Sequence, residues 1–514
     1  MSKTQSDIVL CTLNSTYQHA SFGLRYLLAN MKELENQTQI IEFTIKENTR
    51  WVVEQILIKK PRIVGLSIYI WNTDKMYEVA SMIKNLAPEI FIVMGGPEIS
   101  YETEPQKHFA IADYIITGEA DFSFYQLCQQ IFQNTAPESK IIRSSLPDIE
   151  LIKTPYHLYT DEDIKNRVIY VEASRGCPYK CEYCLSSLDK SVRNFNIDHF
   201  LQSMDSLIQR GARTFKFVDR TFNLSPTTST QILKYFLSKI DLGLFLHFEM
   251  VPDRLPQEIK DLIIQFPAGS LQFEVGIQTL TPEVAKNISR KNDLTKVADN
   301  FNYISSQTKV HTHADLIVGL PGETIENFAD GFDQLAAMGP DEIQVGILKR
   351  LKGTPIVRHE KTFKMIYQQH PPYQILSTST MDYFTLQKMN RFAKFWDLYA
   401  NSGDFKNVIK TIKTQKGSYF WNFMEFVDYL SEKYSETHSI SLISLAEQAW
   451  KYFIKKGLEL DLASEMIIQD YCQGHTKRDL PPFLKKTEML SQVQFKRSSQ
   501  TSRQMKHLEL KTTP

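Results

Sequence analysis

From residue 6 to about 133, short runs rich in Ile, Val and Leu alternate with amphipathic stretches. The runs IVLCTL (8–13), IIEFTI (40–45), IVGLSIYI (63–70), IFIVMGG (90–96) and DYIITG (113–118) read as strands. Segments 20–34 and 73–86 carry apolar residues at helical spacing. Strands that are apolar almost throughout suit a parallel sheet covered on both faces. The pattern therefore predicts a doubly wound, Rossmann-like α/β domain over 1–135, with its ligand beyond the carboxyl ends of the strands. Gly95-Gly96-Pro97 and Gly118-Glu119 fall at two such ends. Glycine there allows close approach of a ligand to the backbone, and it also suits a plain turn.

Residues 136–166 are polar and proline-bearing and read as a linker. A second series of strands follows over 167–365: VIYVEAS (168–174), TFKFVD (214–219), LFLHFEM (244–250), LQFEVGI (271–277), THADLIVG (312–319) and EIQVGIL (342–348). Repeated βα units at this spacing predict a partial (β/α)6 barrel, which displays its chemistry at the strand carboxyl ends. Beyond 365 the strand pattern stops, and 366–484 is expected to be a mainly helical domain. Its segments 382–399, 418–434 and 440–456 are amphipathic, Trp396, Trp421 and Trp450 are placed on apolar faces, and Gly403 is a stop for the first. Residues 485–514 are polar and basic and are expected to be a disordered tail.

Composition narrows the function. Lys plus Arg and Asp plus Glu both number 59, so no whole-chain cationic surface invites nucleic acid or an anionic membrane. The opening MSKTQSDIVLCTL lacks the pattern of a signal peptide, and no run reaches the ~18 apolar residues of a membrane span. A cytoplasmic protein is expected. Of six cysteines, three fall between 177 and 184, a concentration that suits a metal site in a reducing compartment rather than a disulfide scaffold.

Residues 174–186 read Ser-Arg-Gly-Cys-Pro-Tyr-Lys-Cys-Glu-Tyr-Cys-Leu-Ser, directly after the first strand of the second series. Cys177, Cys181 and Cys184 thus follow a C-x3-C-x2-C spacing. Three thiolates from one loop suit a soft metal centre. Structural zinc takes four protein ligands, and no nearby Cys or His supplies the fourth, which leaves a distant histidine or chance as the bland readings. An iron–sulfur cluster on three cysteines would leave one iron open for chemistry.

This loop resembles the signature of the radical S-adenosylmethionine (SAM) superfamily, and the βα series is similar to that superfamily's partial barrel. The resemblance implies a [4Fe–4S] cluster on Cys177, Cys181 and Cys184 whose open iron is chelated by the methionine amino and carboxylate groups of SAM. One electron then cleaves SAM to a 5′-deoxyadenosyl radical that abstracts hydrogen from an unreactive carbon. It further implies that Tyr183 lies by the adenine, that Glu274 and Gln278 meet the ribose and carboxylate, and that Asp315-Leu-Ile-Val-Gly-Leu-Pro-Gly-Glu323, with Asp315 and Gly319, packs on the adenine. The usual Gly-Gly-Glu after the second strand is replaced by Phe217-Val-Asp-Arg-Thr-Phe-Asn223, which leaves the partner of the SAM amino group open. Glu274 and Asp315 also fit a bland reading as buried structural carboxylates.

A doubly wound domain ahead of such a barrel resembles the cobalamin-binding class of the superfamily, and the helical remainder is similar to the C-terminal domain of one of its branches. By that resemblance Ser67, Gly95, Gly96, Gly118 and Glu119 line the cleft for the cofactor's nucleotide tail. The Asp-x-His-x-x-Gly motif that supplies a cobalt-ligating imidazole is missing, and in Asn14-Ser-Thr-Tyr-Gln-His19-Ala-Ser-Phe-Gly23 the spacing differs, so His19 is not assigned to cobalt. The function implied is a SAM- and cobalamin-dependent methyltransferase acting on an unactivated carbon of a small molecule or peptide, served by a flavodoxin- or ferredoxin-like electron donor. Alternatives are a cobalamin-independent radical rearrangement or cyclisation, and a non-catalytic iron–sulfur or cobalamin sensor. Methylthiolation needs a second cluster, and only Cys11 and Cys128 precede the barrel.

Overall fold

The computed structural model describes residues 5–434, 440–472, 481, 483, 484, 503 and 507 of the 514. It divides into two compact units, Met1–Arg220 with Lys349–Val357 and Gln368–Gln374, and Thr221–Leu348 with Arg358–Tyr367 and Ile375–Pro514.

In the first unit, β1 (Ile8–Asn14), β2 (Thr38–Thr44), β3 (Ile63–Ser67), β4 (Phe91–Gly95), β5 (Tyr114–Thr117) and β6 (Ile141–Arg143) form one parallel sheet in the order β2-β1-β3-β4-β5-β6. All seven residues of β1 are buried. Alternate residues serve two cores: Val9, Cys11 and Leu13 pack with Val52, Ile56 and Val79, while Ile8 and Leu10 pack with Leu24, Phe124 and Leu127. This is why the run is apolar on both parities, each such side chain contributing roughly 1.5–3 kcal/mol by its burial. The strand order reverses between β1 and β3, the switch point at which doubly wound sheets open a crevice.

Residues 136–166, expected as a linker, are built into this unit. They supply β6 and a helix, Asp161–Asn166, whose capping box joins Thr160 and Asp163. The polar residues are there to pair: buried Arg25 bonds Asp163 at 2.9 Å and Glu42 at 2.8 Å, and the Tyr159 hydroxyl donates to the Tyr170 carbonyl at 2.8 Å. After the helix come β7 (Ile169–Val171), β8 (Ser174–Arg175), β9 (Arg193–Asn194) and β10 (Thr214–Phe217); β7 and β10 pair parallel, β8 and β9 antiparallel. The returning segments are anchored by Lys352, which donates to Gln106 at 3.1 Å and to the Tyr373 hydroxyl at 2.9 Å, while Tyr373 donates to Glu98 at 2.7 Å.

In the second unit, β11 (Phe245–Met250), β12 (Leu271–Gln278), β13 (His311–Val318) and β14 (Glu342–Ile347) pair in parallel in chain order, with helices in the connections. All six strands expected from the second series therefore form. Burial alternates along β11, β12 and β13, leaving His247, Glu274, His313 and Asp315 half-buried on the less covered face.

The helices Tyr383–Trp396, Lys406–Lys413, Tyr419–Ser431, Leu442–Lys455 and Leu460–Cys472 follow. The first continues through a π-turn, Asp397–Asn401, before Gly403 at φ +70° ends it. Asn401 then bonds both backbone groups of Ile343 on β14. Phe332, Phe392, Trp396, Phe420 and Phe423 make the aromatic core here, with Phe392 and Phe420 centroids 4.7 Å apart. Trp421 is set at its rim: the residue is 42% exposed, and its ring meets that of Phe420 edge to face. Among the described residues no helix is long and apolar enough to cross a membrane. The expected tail, 485–514, lies outside the described residues except for Arg503 and His507.

Candidate functional site

The chain leaves β7 and passes Glu172 and Ala173 into the short strand β8, which opens the cysteine loop; β9 closes it. Ser174 pairs with Asn194 and Arg175 with Arg193. Gly176 has φ +90°, and a Cβ there would lie 1.9 Å from the Ser191 carbonyl oxygen, so only glycine fits the neck. The Cys177 N–H donates to the Asp189 carbonyl at 2.9 Å and the Cys184 N–H to the Cys181 carbonyl at 3.2 Å. None of the three cysteines is in a disulfide; Cys177 and Cys181 are buried and Cys184 is half-buried. Three unbridged thiols on one loop have the chemistry of a donor set for a soft metal cluster. By contrast, Cys11 and Cys128 stand in the sheet cores, where burial pushes both thiols up, Cys11 to about 12. They are core side chains, not ligands.

Asp219, in the segment that replaces Gly-Gly-Glu, faces the base of this loop. Its carboxylate accepts from the Ala173 N–H at 3.0 Å and the Ser174 hydroxyl at 2.6 Å. Burial pushes its carboxyl up to about 7. Asn223 is equally occupied, bonding both backbone groups of Val251.

Beside the carboxyl ends of β3, β4 and β5 lies a cavity of about 210 Å³. Ser67, Gly95, Gly96, Gly118 and Glu119 all line it, so the structure brings these five residues together. Its remaining wall includes Gly23, Tyr26, Tyr69 and Arg175, none of which the strand and glycine pattern singled out. Gly96 and Gly118 have φ of +108° and +83°, and a Cβ on Gly96 would fall 2.6 Å from the Ile68 carbonyl oxygen. Buried Asn72 sets the loop after β3 by accepting from the Tyr69 N–H at 2.8 Å and donating to the Leu13 carbonyl at 3.1 Å. His19 is not in the cavity wall: its Nδ1 bonds the Tyr170 hydroxyl. Glu119 contributes wall rather than a free carboxylate, because Arg175 and Arg193 hold both of its oxygens.

Tyr183 belongs to the cysteine loop, in the first unit; Glu274, Gln278, Asp315 and Gly319 belong to the second. There β12 and β13 set Glu274 opposite His313 and Gly276 opposite Asp315. Glu274 bonds His247 Nε2 at 2.8 Å, and one ligand atom from each of Glu274, His313 and Asp315 lies within 4.8 Å of the others. Desolvation lowers the affinity of His313 for its proton, against the pull of Glu342 and Glu274. The register slips between Gly276 and Gln278, and Gln278 sits at φ +72°, a left-handed conformation that is costly for a side-chain-bearing residue and common at functional strand ends. Gly319 ends β13 at φ +86°, with no room for a Cβ beside Ile375.

Three family models match successive parts of the chain: B12 binding domain over 8–127, Radical SAM superfamily over 171–335, and a protein of unknown function family (DUF4080) over 361–512. An uncharacterized methyltransferase of Pyrococcus horikoshii is 24% identical over 336 residues, covering 59% of this chain and 70% of the relative. The cobalamin-dependent radical SAM methyltransferase TokK of Streptomyces tokunonensis is 22% identical over 59% of this chain, which spans about half (49%) of TokK's length. In fold, the chain is similar to the cobalamin-dependent radical SAM enzyme OxsB solved with aqua-cobalamin and SAM, with a TM-score of 0.59 at 12% identity over 91% of this chain and 75% of that one. With a B12-binding domain matched over the first sheet and a radical SAM domain matched over the cysteine loop and the strands after it, the chain belongs to the radical SAM superfamily, in the class that carries an N-terminal cobalamin-binding domain.

Proposed function

We propose that the protein transfers a methyl group to an unactivated carbon of a small molecule or peptide, using cobalamin, SAM and a [4Fe–4S] cluster. The observation that carries this reading is the presence, in one unit, of a three-thiol loop and a glycine-lined cavity beside the carboxyl ends of β3, β4 and β5 in a doubly wound sheet. When bound, the cluster with SAM supplies a hydrogen-abstracting radical and cobalamin supplies the methyl group. Cys177, Cys181 and Cys184 would hold through their thiolates the cluster that supplies the electron for SAM cleavage. Tyr183, Glu274, Gln278, Asp315 and Gly319 contact SAM, as the family resemblance assigns. Ser67 and the turns at Gly95-Gly96 and Gly118 present backbone to the cofactor's nucleotide tail. At about 210 Å³ the cavity is smaller than the roughly 300–1,000 Å³ that encloses a drug-sized ligand, so it suits one arm of a large cofactor. The positions of Cys11 and Cys128 in the sheet cores weigh against a second cluster and hence against methylthiolation.

The reading is tested by loading the full chain anaerobically with iron, sulfide, cobalamin and SAM, then adding a reductant and an extract of candidate substrates. We expect about four irons and one cobalamin per chain, formation of 5′-deoxyadenosine and S-adenosylhomocysteine, and a product heavier by one methylene unit. A chain that retains no cobalamin yet cleaves SAM is a cobalamin-independent radical enzyme. One that binds the cluster and never cleaves SAM is a sensor.

A further inference from the structure

Arg175 and Arg193 face each other across the two-residue ladder at the neck of the cysteine loop, and both reach the same carboxylate. Arg175 Nη1 lies 2.8 Å from Glu119 Oε2, and Arg193 Nη2 bonds Glu119 Oε1. Arg175 also forks onto Asp121 at 2.9 and 3.2 Å and bonds Glu172 through Nε at 2.9 Å. Its guanidinium lies 4.5 Å from the centroid of the Tyr26 ring, another wall of the cavity. On the other arm, Arg193 bonds Asp189 Oδ2 at 3.1 Å, and the Asp189 carbonyl accepts the Cys177 N–H at 2.9 Å. An unbroken run of bonds therefore joins the Gly118-Glu119 turn of the cavity to the backbone of the first cysteine.

These are not screened surface pairs. The Arg175 and Asp121 side chains are 12% and 5% exposed, and Arg193 and Glu119 are 16% and 22% exposed. Removing one partner from such a cluster strands a buried charge, so the arrangement holds as a unit. The planar fork also fixes direction, which a lysine at the same place would not.

We propose that Arg175 and Arg193 are positioning residues that couple the cofactor cleft to the cysteine loop through Glu119, so that filling the cleft steadies the loop. The inference rests on the reading that cobalamin occupies the cleft. Linkage makes the coupling reciprocal: loading the cluster should then tighten cobalamin binding by the same factor.

The test is hydrogen–deuterium exchange on the full chain carrying its cluster, with and without cobalamin. In the native protein, cobalamin should slow exchange in 113–121 and, about tenfold, in 176–194. In Glu119→Gln and in Arg193→Lys the first effect should remain and the second fall below about twofold. Cluster loading should tighten cobalamin in the native chain and not in either variant. Without cobalamin, Glu119→Gln should by itself speed exchange in 176–194 several-fold. A native chain in which cobalamin protects the cleft but not the loop overturns the proposal, and so do variants that keep full loop protection. If the native chain binds no cobalamin, the functional reading fails, and equal loop exchange in native and Glu119→Gln protein then sinks the clamp independently. Should Glu119→Gln not fold, Arg193→Lys, which keeps the charge, answers each comparison.

Discussion

The cavity beside β3, β4 and β5 and the less covered face of β12 and β13 make their surfaces in opposite ways. At the first, Gly23, Gly65, Gly95, Gly96 and Gly118 withdraw side chains and leave a cavity walled partly by backbone. At the second, Glu274, His313 and Asp315 project polar groups to within 4.8 Å of one another. A large ligand recognised by shape and by peptide groups suits the former, and a small polar ligand recognised by charge suits the latter. The difference also dictates how each is damaged: a surface made of side chains fails when one is removed, a surface made of their absence fails when one is added.

The largest effect should come from subtraction in the cysteine loop. Cys181→Ala should bring the iron at this site close to zero and abolish SAM cleavage, measured by iron analysis and by 5′-deoxyadenosine formation; full iron content in that variant would refute the ligand assignment. Addition at the cleft comes next. Gly95 has an ordinary φ, and its Cβ would sit 3.5 Å from the nearest atom, the Ile116 carbonyl oxygen, so Gly95→Val should fold and fill the cavity. Cobalamin occupancy should fall below about a tenth of native while iron content stays unchanged. Gly96→Val is the less informative variant, because φ +108° and a 2.6 Å approach to Ile68 add backbone strain of about 1–3 kcal/mol.

A third prediction concerns stability near the second surface. Glu323 is buried, accepts one bond from Thr279 at 2.7 Å, and has its carboxyl pushed from 4.5 up to about 8 by desolvation. The folded chain thus holds this proton more tightly than the unfolded one. The stabilisation is complete below about pH 4.5, is lost as pH rises toward 8, and is flat above that. At about 1.4 kcal/mol per unit this amounts to a few kcal/mol. The thermal midpoint should therefore fall more steeply between pH 5 and 8 in the native chain than in Glu323→Gln. Smallest is Glu274→Gln, which weakens one charge-assisted contact and should lower SAM affinity about tenfold while leaving cobalamin content unaltered, read by equilibrium dialysis of each ligand. If cobalamin falls as well, the two surfaces are not separable as described.

What was legible from the residues was what leaves a periodic or spaced mark. Apolar runs such as IVLCTL located β1 because both parities are buried, and the cysteine spacing located the loop. Ion pairs leave no such mark. Arg175 stands in the cysteine motif itself, yet its partners Glu119 and Asp121 lie more than fifty positions earlier, and only the fold brings them together. The same blindness hid the short helix at Asp161–Asn166, whose polar residues read as linker until Arg25 supplies the counter-charge of Asp163. Trp421 was misplaced because aromatic spacing fixes a helix but not which of several crowded faces its neighbours can cover. A sequence signal for Arg175 did exist: a cation between a buried strand and a metal loop, matched by the acids of Ile-Thr-Gly-Glu119-Ala-Asp121 at another strand end.

The neck of the cysteine loop has a thermodynamic consequence. Because Ser174↔Asn194 and Arg175↔Arg193 close it and Gly176 packs against Ser191, the ends of the loop are joined by protein bonds alone. The entropy of bringing those ends together is met when the polypeptide folds and is not charged to the metal. On the proposed function, iron and sulfide would therefore enter a half-organised nest instead of recruiting scattered thiolates, unlike a zinc finger that stays unfolded until metal arrives. A chain stripped of its inorganic part by air should refill under reducing conditions with no denaturation step.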